Sequence, residues 1–259
     1  MRLIVNADDF GYSEDTVDAT IACFEAGGLT SATIMAAMPA AARAIEYARA
    51  HPDWSFGAHL TIGGSPDGAE RPLLDPARIP SLVDDRGRFL MGDLIKKRAF
   101  ARRLADADLD AELTAQLGHL RDHGVAISHV DSHGHLHKFA QPFAALRRVL
   151  PAFGIRRVRR SQNVWIRRPW RSPTYLVGGL WHPAVARHFV TTDRFFMPTC
   201  PSDTAAAARV VARRGRGTFE VGVHPGRAEA WRSAEAVAAV GLVAHARAAG
   251  WDVTTWSAL

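Results

Sequence analysis

The 259-residue sequence has only two cysteines, Cys23 and Cys200, far apart and without a CxxC companion. That excludes a disulfide framework and a thiolate zinc site, so any metal must rely on histidine and carboxylate. Long apolar runs are missing too. None approaches the ~18 to 20 residues of a bilayer span, and Asp8 and Asp9 interrupt the amino terminus before a signal-like stretch develops. A cytoplasmic protein is expected. Lysine is scarce: Lys96, Lys97 and Lys138 are the only ones among 32 basic residues, so the formal charge of +6 comes almost wholly from arginine. A basic balance suits nucleic acid, an anionic membrane surface or a phosphorylated ligand. Arginine richness is also a compositional habit of some genomes, and no nucleic-acid role is expected.

What is present is an alternation of β-branched apolar runs with alanine-rich stretches of helical spacing, the pattern of parallel strands and crossover helices. Strands are predicted near 3–7, 32–37, 56–61, 127–132, 157–160, 219–223 and 253–256, and helices over 14–26, 40–50, 109–123, 143–152, 204–213 and 233–249. Ser13 is placed to cap the first helix, and Gly27 and Gly28 to stop it. The fold class is α/β, a single distorted (β/α) barrel over 1–259 whose strand carboxyl ends carry the site. Two insertions break the pattern. Residues 63–92, rich in Pro, Asp and Gly, form a lid or a plain insertion; 160–183 is rich in Arg, Trp and Pro. There, Trp165, Trp170 and Trp181 among Arg167, Arg168 and Arg171 make a lipid-surface or sugar-stacking region, with buried tryptophans the alternative.

Four strand ends carry chemistry. Asn6-Ala7-Asp8-Asp9-Phe10-Gly11 puts two adjacent carboxylates where a strand becomes a loop; neighbours on a strand point opposite ways, so both face one site only if the chain turns at Asp9. Four of the twelve histidines fall within His129-Val130-Asp131-Ser132-His133-Gly134-His135-Leu136-His137. If that segment stays extended, Asp131, His133, His135 and His137 share a face. His59 ends another predicted strand in Gly57-Ala58-His59-Leu60-Thr61. In Phe219-Glu220-Val221-Gly222-Val223-His224-Pro225-Gly226, Glu220 lies deep and His224 at the rim, as an acid or base or as a turn cap. Together these offer nitrogen and oxygen ligands with a position left for water, a hydrolytic zinc design.

These motifs, in order and spacing, resemble the YdjC-like, or chitooligosaccharide deacetylase, family over nearly the whole chain. The resemblance implies a distorted α/β barrel that removes the N-acetyl group of an amino sugar, with Asp9, His59 and His133 on one divalent metal (Zn²⁺ first, Mg²⁺ or another ion next) and Asp8 as catalytic base. Strand alternation alone leaves His133, His135 and His137 undistinguished. The segments 79–84 and Gly87-Arg88-Phe89 are similar to the hopanoid-associated branch, yet the chain has Asp131-Ser132-His133 where that branch carries Asn-Ala-His, which leaves branch and substrate open.

On this reading His224 protonates the departing nitrogen, Asp131 or Glu220 orients an imidazole, and His135, His137, Arg157 and Arg160 serve substrate binding or ligand support. The strand of Arg157, Arg159 and Arg160 offers a guanidinium to an anionic substrate group, and Arg157 and Arg160 match family arginines; solvated surface arginines are the alternative. The expected partner is a small-molecule or lipid-linked amino sugar, with peripheral membrane contact and oligomeric state open. Competing readings are a metal phosphoesterase and a noncatalytic protein that binds an anionic ligand.

Overall fold

The computed structural model describes residues 1–66, 70–166, 183–198, 201–212 and 216–259. Strand β1 (Arg2–Phe10) lies at the middle of a seven-stranded sheet with β2 (Ser31–Ile34), β3 (Ser55–Leu60), β4 (Ile127–Ser132), β5 (Arg194–Phe196), β6 (Thr218–Val223) and β7 (Asp252–Val253). The order is β4-β3-β2-β1-β6-β5, and every pair is parallel. The short β7 pairs with Arg2 and Leu3 at the start of β1, and β2 pairs from Asn6 onward.

Parallel pairing requires crossovers, and helices supply them: α1 (Glu14–Glu25), α2 (Ala41–Ala50), α3 (Gly92–Phe100), α4 (Asp106–Asp122), α5 (Ala140–Val149), α6 (Pro201–Ala212) and α7 (Ala230–Ala248). Ser13 caps α1 as expected: its hydroxyl accepts from Thr16 N (3.3 Å), while Thr16 Oγ1 accepts from Ser13 N (3.0 Å). Gly27, at φ +71°, ends the helix in a conformation that glycine adopts without steric cost.

The sheet curls into a distorted barrel. Its edges are linked by the 156–164 segment, where Arg159 N donates to Val130 O (2.9 Å) on the β4 side, and Val158 N to Val190 O (3.0 Å) and Val164 N to Phe195 O (3.2 Å) on the β5 side. The strand expected at 157–160 is therefore a pair of isolated bridges. Three elements stand out from the sequence reading. Strand β5, three residues long, is too short to show a period, and α3 buries only Ile95 and Ala99, too thin a stripe to register. The 63–92 segment is packed down: Leu73 N and Leu74 N donate to the buried Glu112 carboxylate of α4 (2.9 and 3.2 Å), and Ile79, Leu82, Phe89 and Leu90 are buried. The predicted roles of Trp170, Trp181, Arg167, Arg168 and Arg171 lie outside the described residues. Among the described residues, no helix is long and apolar enough to cross a membrane.

Alternation along each strand positions the site. Leu3, Val5 and Ala7 of β1, Ala32 and Ile34 of β2, Phe56, Ala58 and Leu60 of β3, Val130 of β4, and Phe219, Val221 and Val223 of β6 join one hydrophobic core. The alternate positions carry Asn6, Asp8, Thr33, His59, His129, Asp131 and Glu220, all buried. One face of the same strands is thus oil and the other polar and ionisable, as the period of two requires.

Candidate metal centre

Two adjacent aspartates reach one site because β1 turns inside its last residues. Asp9 has φ +60°, a left-handed value uncommon for a side-chain-bearing residue but tolerated by Asp. The β1–β2 register shifts between Ala7 and Phe10 at this point. Asp8 follows Asn6 on the polar face, and Asn6 Nδ2 donates to Asp8 Oδ1 (2.9 Å).

Asp9 Oδ1 faces two imidazoles, His59 Nε2 at 3.3 Å and His133 Nδ1 at 3.2 Å. Candidate ligand atoms of Asp9, His59 and His133 all lie within 4.8 Å of one another, and the same holds for Asp8, His59 and Asp131. Each ring is anchored at its far nitrogen. His59 Nδ1 sits 2.7 Å from Asp131 Oδ1, and His133 Nε2 sits 3.3 Å from Glu70 Oε1. A carboxylate behind an imidazole fixes its tautomer and turns its other nitrogen toward a cation. Burial lowers the pKa of both rings, yet Asp131 and Asp9 bring His59 up to about 10, and Asp9 and Glu70 bring His133 up to about 9. The surroundings thus favour positive charge where the two rings meet Asp9, and the oxygen–nitrogen donor set fits a divalent ion.

Behind these residues lies Arg159, fully buried and shared by three carboxylates. Its Nη1 and Nη2 meet Asp8 Oδ2 and Oδ1 at 2.6 and 2.7 Å, Nη1 also meets Asp131 Oδ2 at 2.5 Å, and Nε meets Glu220 Oε1 at 2.7 Å. Burial alone would raise the Asp8 carboxyl, but the guanidinium outweighs it and holds Asp8 well below the usual carboxylate range. For Glu220 burial wins over Arg159, and the carboxyl is pushed up to about 7. Trp256, brought in by the carboxy-terminal turn, donates to Glu220 (3.3 Å) and stacks on His129 (4.7 Å, 10°). Gly57 admits His129, since a Cβ there would stand 2.6 Å from the His129 carbonyl oxygen.

His224 follows β6. Its backbone N and ring Nδ1 both lie against Glu235 Oε2 of α7, at 2.8 and 3.1 Å. Burial lowers its pKa, but Glu235, Asp9 and Asp8 together raise it above the ordinary histidine value. Arg232, three residues before Glu235, meets Asp9 Oδ2 at 3.0 Å.

The His-rich segment departs from the extended reading. Strand β4 ends at Ser132, and a 3₁₀ helix over His133–Lys138 contains left-handed Gly134 (φ 59°) and His135 (φ 54°). Asp131, His133, His135 and His137 therefore do not share a face. His133 turns toward Asp9; His135 Nε2 lies 3.2 Å from Met197 Sδ, and His137 Nδ1 lies 2.7 Å from Ser132 Oγ. Burial keeps both of the latter neutral, His135 well below its ordinary value and His137 at about 3. Arg157 bonds the Ser257 carbonyl and Arg160 the carbonyls of Thr192 and Asp193, so neither points at the cluster; Arg159 between them does. Sequence reasoning missed Glu70, Arg232 and Glu235 as site residues, and took Arg159 only together with Arg157 and Arg160, as a guanidinium for a substrate group. Arg159 shares its alternation with Arg157, so the period of two did not set it apart.

Fold and site define an α/β barrel protein with a carboxylate–imidazole cluster suited to a divalent ion. The YdjC-like protein family matches residues 2–257, and the chain belongs to it. It is 38% identical over 197 residues to a carbohydrate deacetylase of Geobacillus stearothermophilus, an alignment covering 74% of this chain and 70% of that protein. A carbohydrate deacetylase of Brevibacillus brevis (strain 47) is 35% identical over 66% of this chain and 60% of its own length, and one of Thermoanaerobacter pseudethanolicus is 39% identical over 51% of this chain and 50% of its own. The fold is shared with a crystal structure from Enterococcus faecalis V583, titled a candidate cellobiose-phosphate cleavage protein (TM-score 0.79, 21% identity, covering 99% of this chain and 98% of that one).

Proposed function

We propose that this chain is a metal-dependent carbohydrate deacetylase that hydrolyses the N-acetyl group of an amino sugar. The observation that carries the reading is the meeting of His59 and His133 on one oxygen of Asp9, with Asp8 alongside and His224 across the site. The relatives' names and the span of the family match support it and favour reading 1–259 as one catalytic domain with 63–92 inserted.

Asp9, His59 and His133 would hold the ion, Zn²⁺ on the strength of the nitrogen-rich donor set. When bound, it supplies Lewis acidity, polarising the acetyl carbonyl and making water a better nucleophile at neutral pH. Asp8 is ionised and held by Arg159 in one orientation, so it takes a proton from the attacking water without first releasing one of its own. His224, kept protonated by Glu235, gives its proton to the leaving nitrogen as the C–N bond breaks. Asp131 fixes His59, and Glu220 fixes Arg159, so the base and one ligand are braced by the same buried network.

The test is acetate release, with chelator and with added Zn²⁺, from a panel running from N-acetylglucosamine oligomers to lipid-linked amino sugars. Metal-dependent acetate from any member is expected. Silence across the panel from metal-loaded protein would remove the proposal, and release of phosphate from a phosphate ester instead would select a phosphoesterase.

A further inference from the structure

Trp231, in the first turn of α7, keeps 45% of its surface exposed, although an indole gains more from burial than most side chains. Its ring lies 5.5 Å from the His224 imidazole, at 66°. The Arg232 guanidinium sits over it, 4.6 Å from the ring centroid, and is itself pinned by Asp9 Oδ2 (3.0 Å) and Glu229 Oε2 (2.6 Å). Gly226 of the His-Pro-Gly turn makes this possible, since a Cβ there would stand 2.6 Å from Arg232 Cδ. The indole is therefore braced by a cation with two ion pairs, beside His224 of the metal centre, with close to half of its surface open. Phe24 and Trp54, by contrast, stack on each other at 4.4 Å.

A fixed, exposed indole next to a proton donor matches one ligand shape. A pyranose has faces of C–H groups, weakly positive, which the negative face of an aromatic ring attracts, while its hydroxyls stay in water at the edge. An acyclic amide has no such face. Resting on the deacetylase reading above, we propose that Trp231 is the stacking platform for the pyranose ring whose amide nitrogen His224 protonates, and that it makes the site selective for cyclic amino sugars.

Direct binding tests this independently of turnover. Di-N-acetylchitobiose is titrated calorimetrically into metal-loaded wild type, Trp231→Ala and Trp231→Phe, and acetate release is followed in parallel. The expected result is binding about tenfold weaker in Trp231→Ala, largely restored in Trp231→Phe, with metal content unchanged; where acetate is released, KM rises by the same factor and kcat changes less. Equal affinity of wild type and Trp231→Ala would overturn the platform even if acetate is released, leaving the deacetylase reading intact. Absence of pyranoside binding by the wild type would overturn it as well. Weakened binding without acetate release from this disaccharide would uphold the platform, and silence across the whole panel besides would remove the deacetylase reading.

Discussion

Arg159 grips both oxygens of Asp8, Nη1 to Oδ2 at 2.6 Å and Nη2 to Oδ1 at 2.7 Å, with both side chains buried. The fork fixes both the charge and the direction of the carboxylate, which a single ammonium cannot do. Arg159→Lys is therefore expected to lower kcat about a hundredfold while metal content is kept, because a small misplacement of a catalytic group costs that much. The pH profile should move with it. Burial pushes Asp8 up and Arg159 holds it down, so a weaker partner lets the pKa rise; activity that needs the ionised form is then lost at a higher pH on the acid side. Rate profiles at saturating metal check this, and an unchanged kcat in Arg159→Lys would mean that the fork does not position the base.

Asp8→Asn separates base from ligand. The amide keeps the shape and can still face Arg159, but it accepts no proton. Metal content measured after dialysis should match wild type, and acetate release should fall by about 10²- to 10⁴-fold, the usual contribution of a general base. Loss of the metal together with the activity would place Asp8 among the ligands.

Much of this was legible in the sequence, and the gaps have physical causes. Alternation on 56–61, 127–132 and 219–223 exposed the polar face because these strands stay extended through His59, Asp131 and Glu220. It failed at His133 because the chain leaves the strand at Ser132 and passes through left-handed Gly134 and His135. Gly134 was the available hint, and only the family resemblance selected His133. The arginines at 157, 159 and 160 looked alike because residue type carries no face; the backbone bond from Arg159 N to Val130 O turns Arg159 inward. Glu70 was hidden because nothing local marks a carboxylate in a Pro- and Gly-rich insertion as the partner of a histidine far along the chain.

That insertion nevertheless reaches the candidate metal centre. Glu70 is held by Ser65, whose backbone N donates to Oε2 at 3.0 Å and whose hydroxyl donates to Oε1, and Glu70 stands behind His133 Nε2 at 3.3 Å. Glu70→Ala removes the anchor and leaves the ligand ring free to turn. Zn²⁺ affinity, measured by competition with a chromophoric chelator, should weaken by about 10- to 100-fold, as for other such supports. The circular dichroism spectrum should not change. Unaltered affinity would mean that His133 is oriented by Asp9 alone.

If His224 is the acid proposed above, Glu235 sets its working range. Burial by itself lowers the imidazole pKa; the contact from Glu235 Oε2 to Nδ1 at 3.1 Å and the charges of Asp9 and Asp8 carry it above the ordinary value. An acid that must arrive protonated loses activity as pH rises through its pKa, so the raised value extends activity to the alkaline side. Glu235→Gln keeps an acceptor for the His224 backbone N–H and removes the charge. The alkaline limb of the kcat profile should then shift to lower pH, while the acid limb, which belongs to other groups, stays in place. If instead both limbs hold and only stability falls, Glu235 serves as a backbone cap for the β6–α7 connection and His224 owes its protonation to the aspartates across the site.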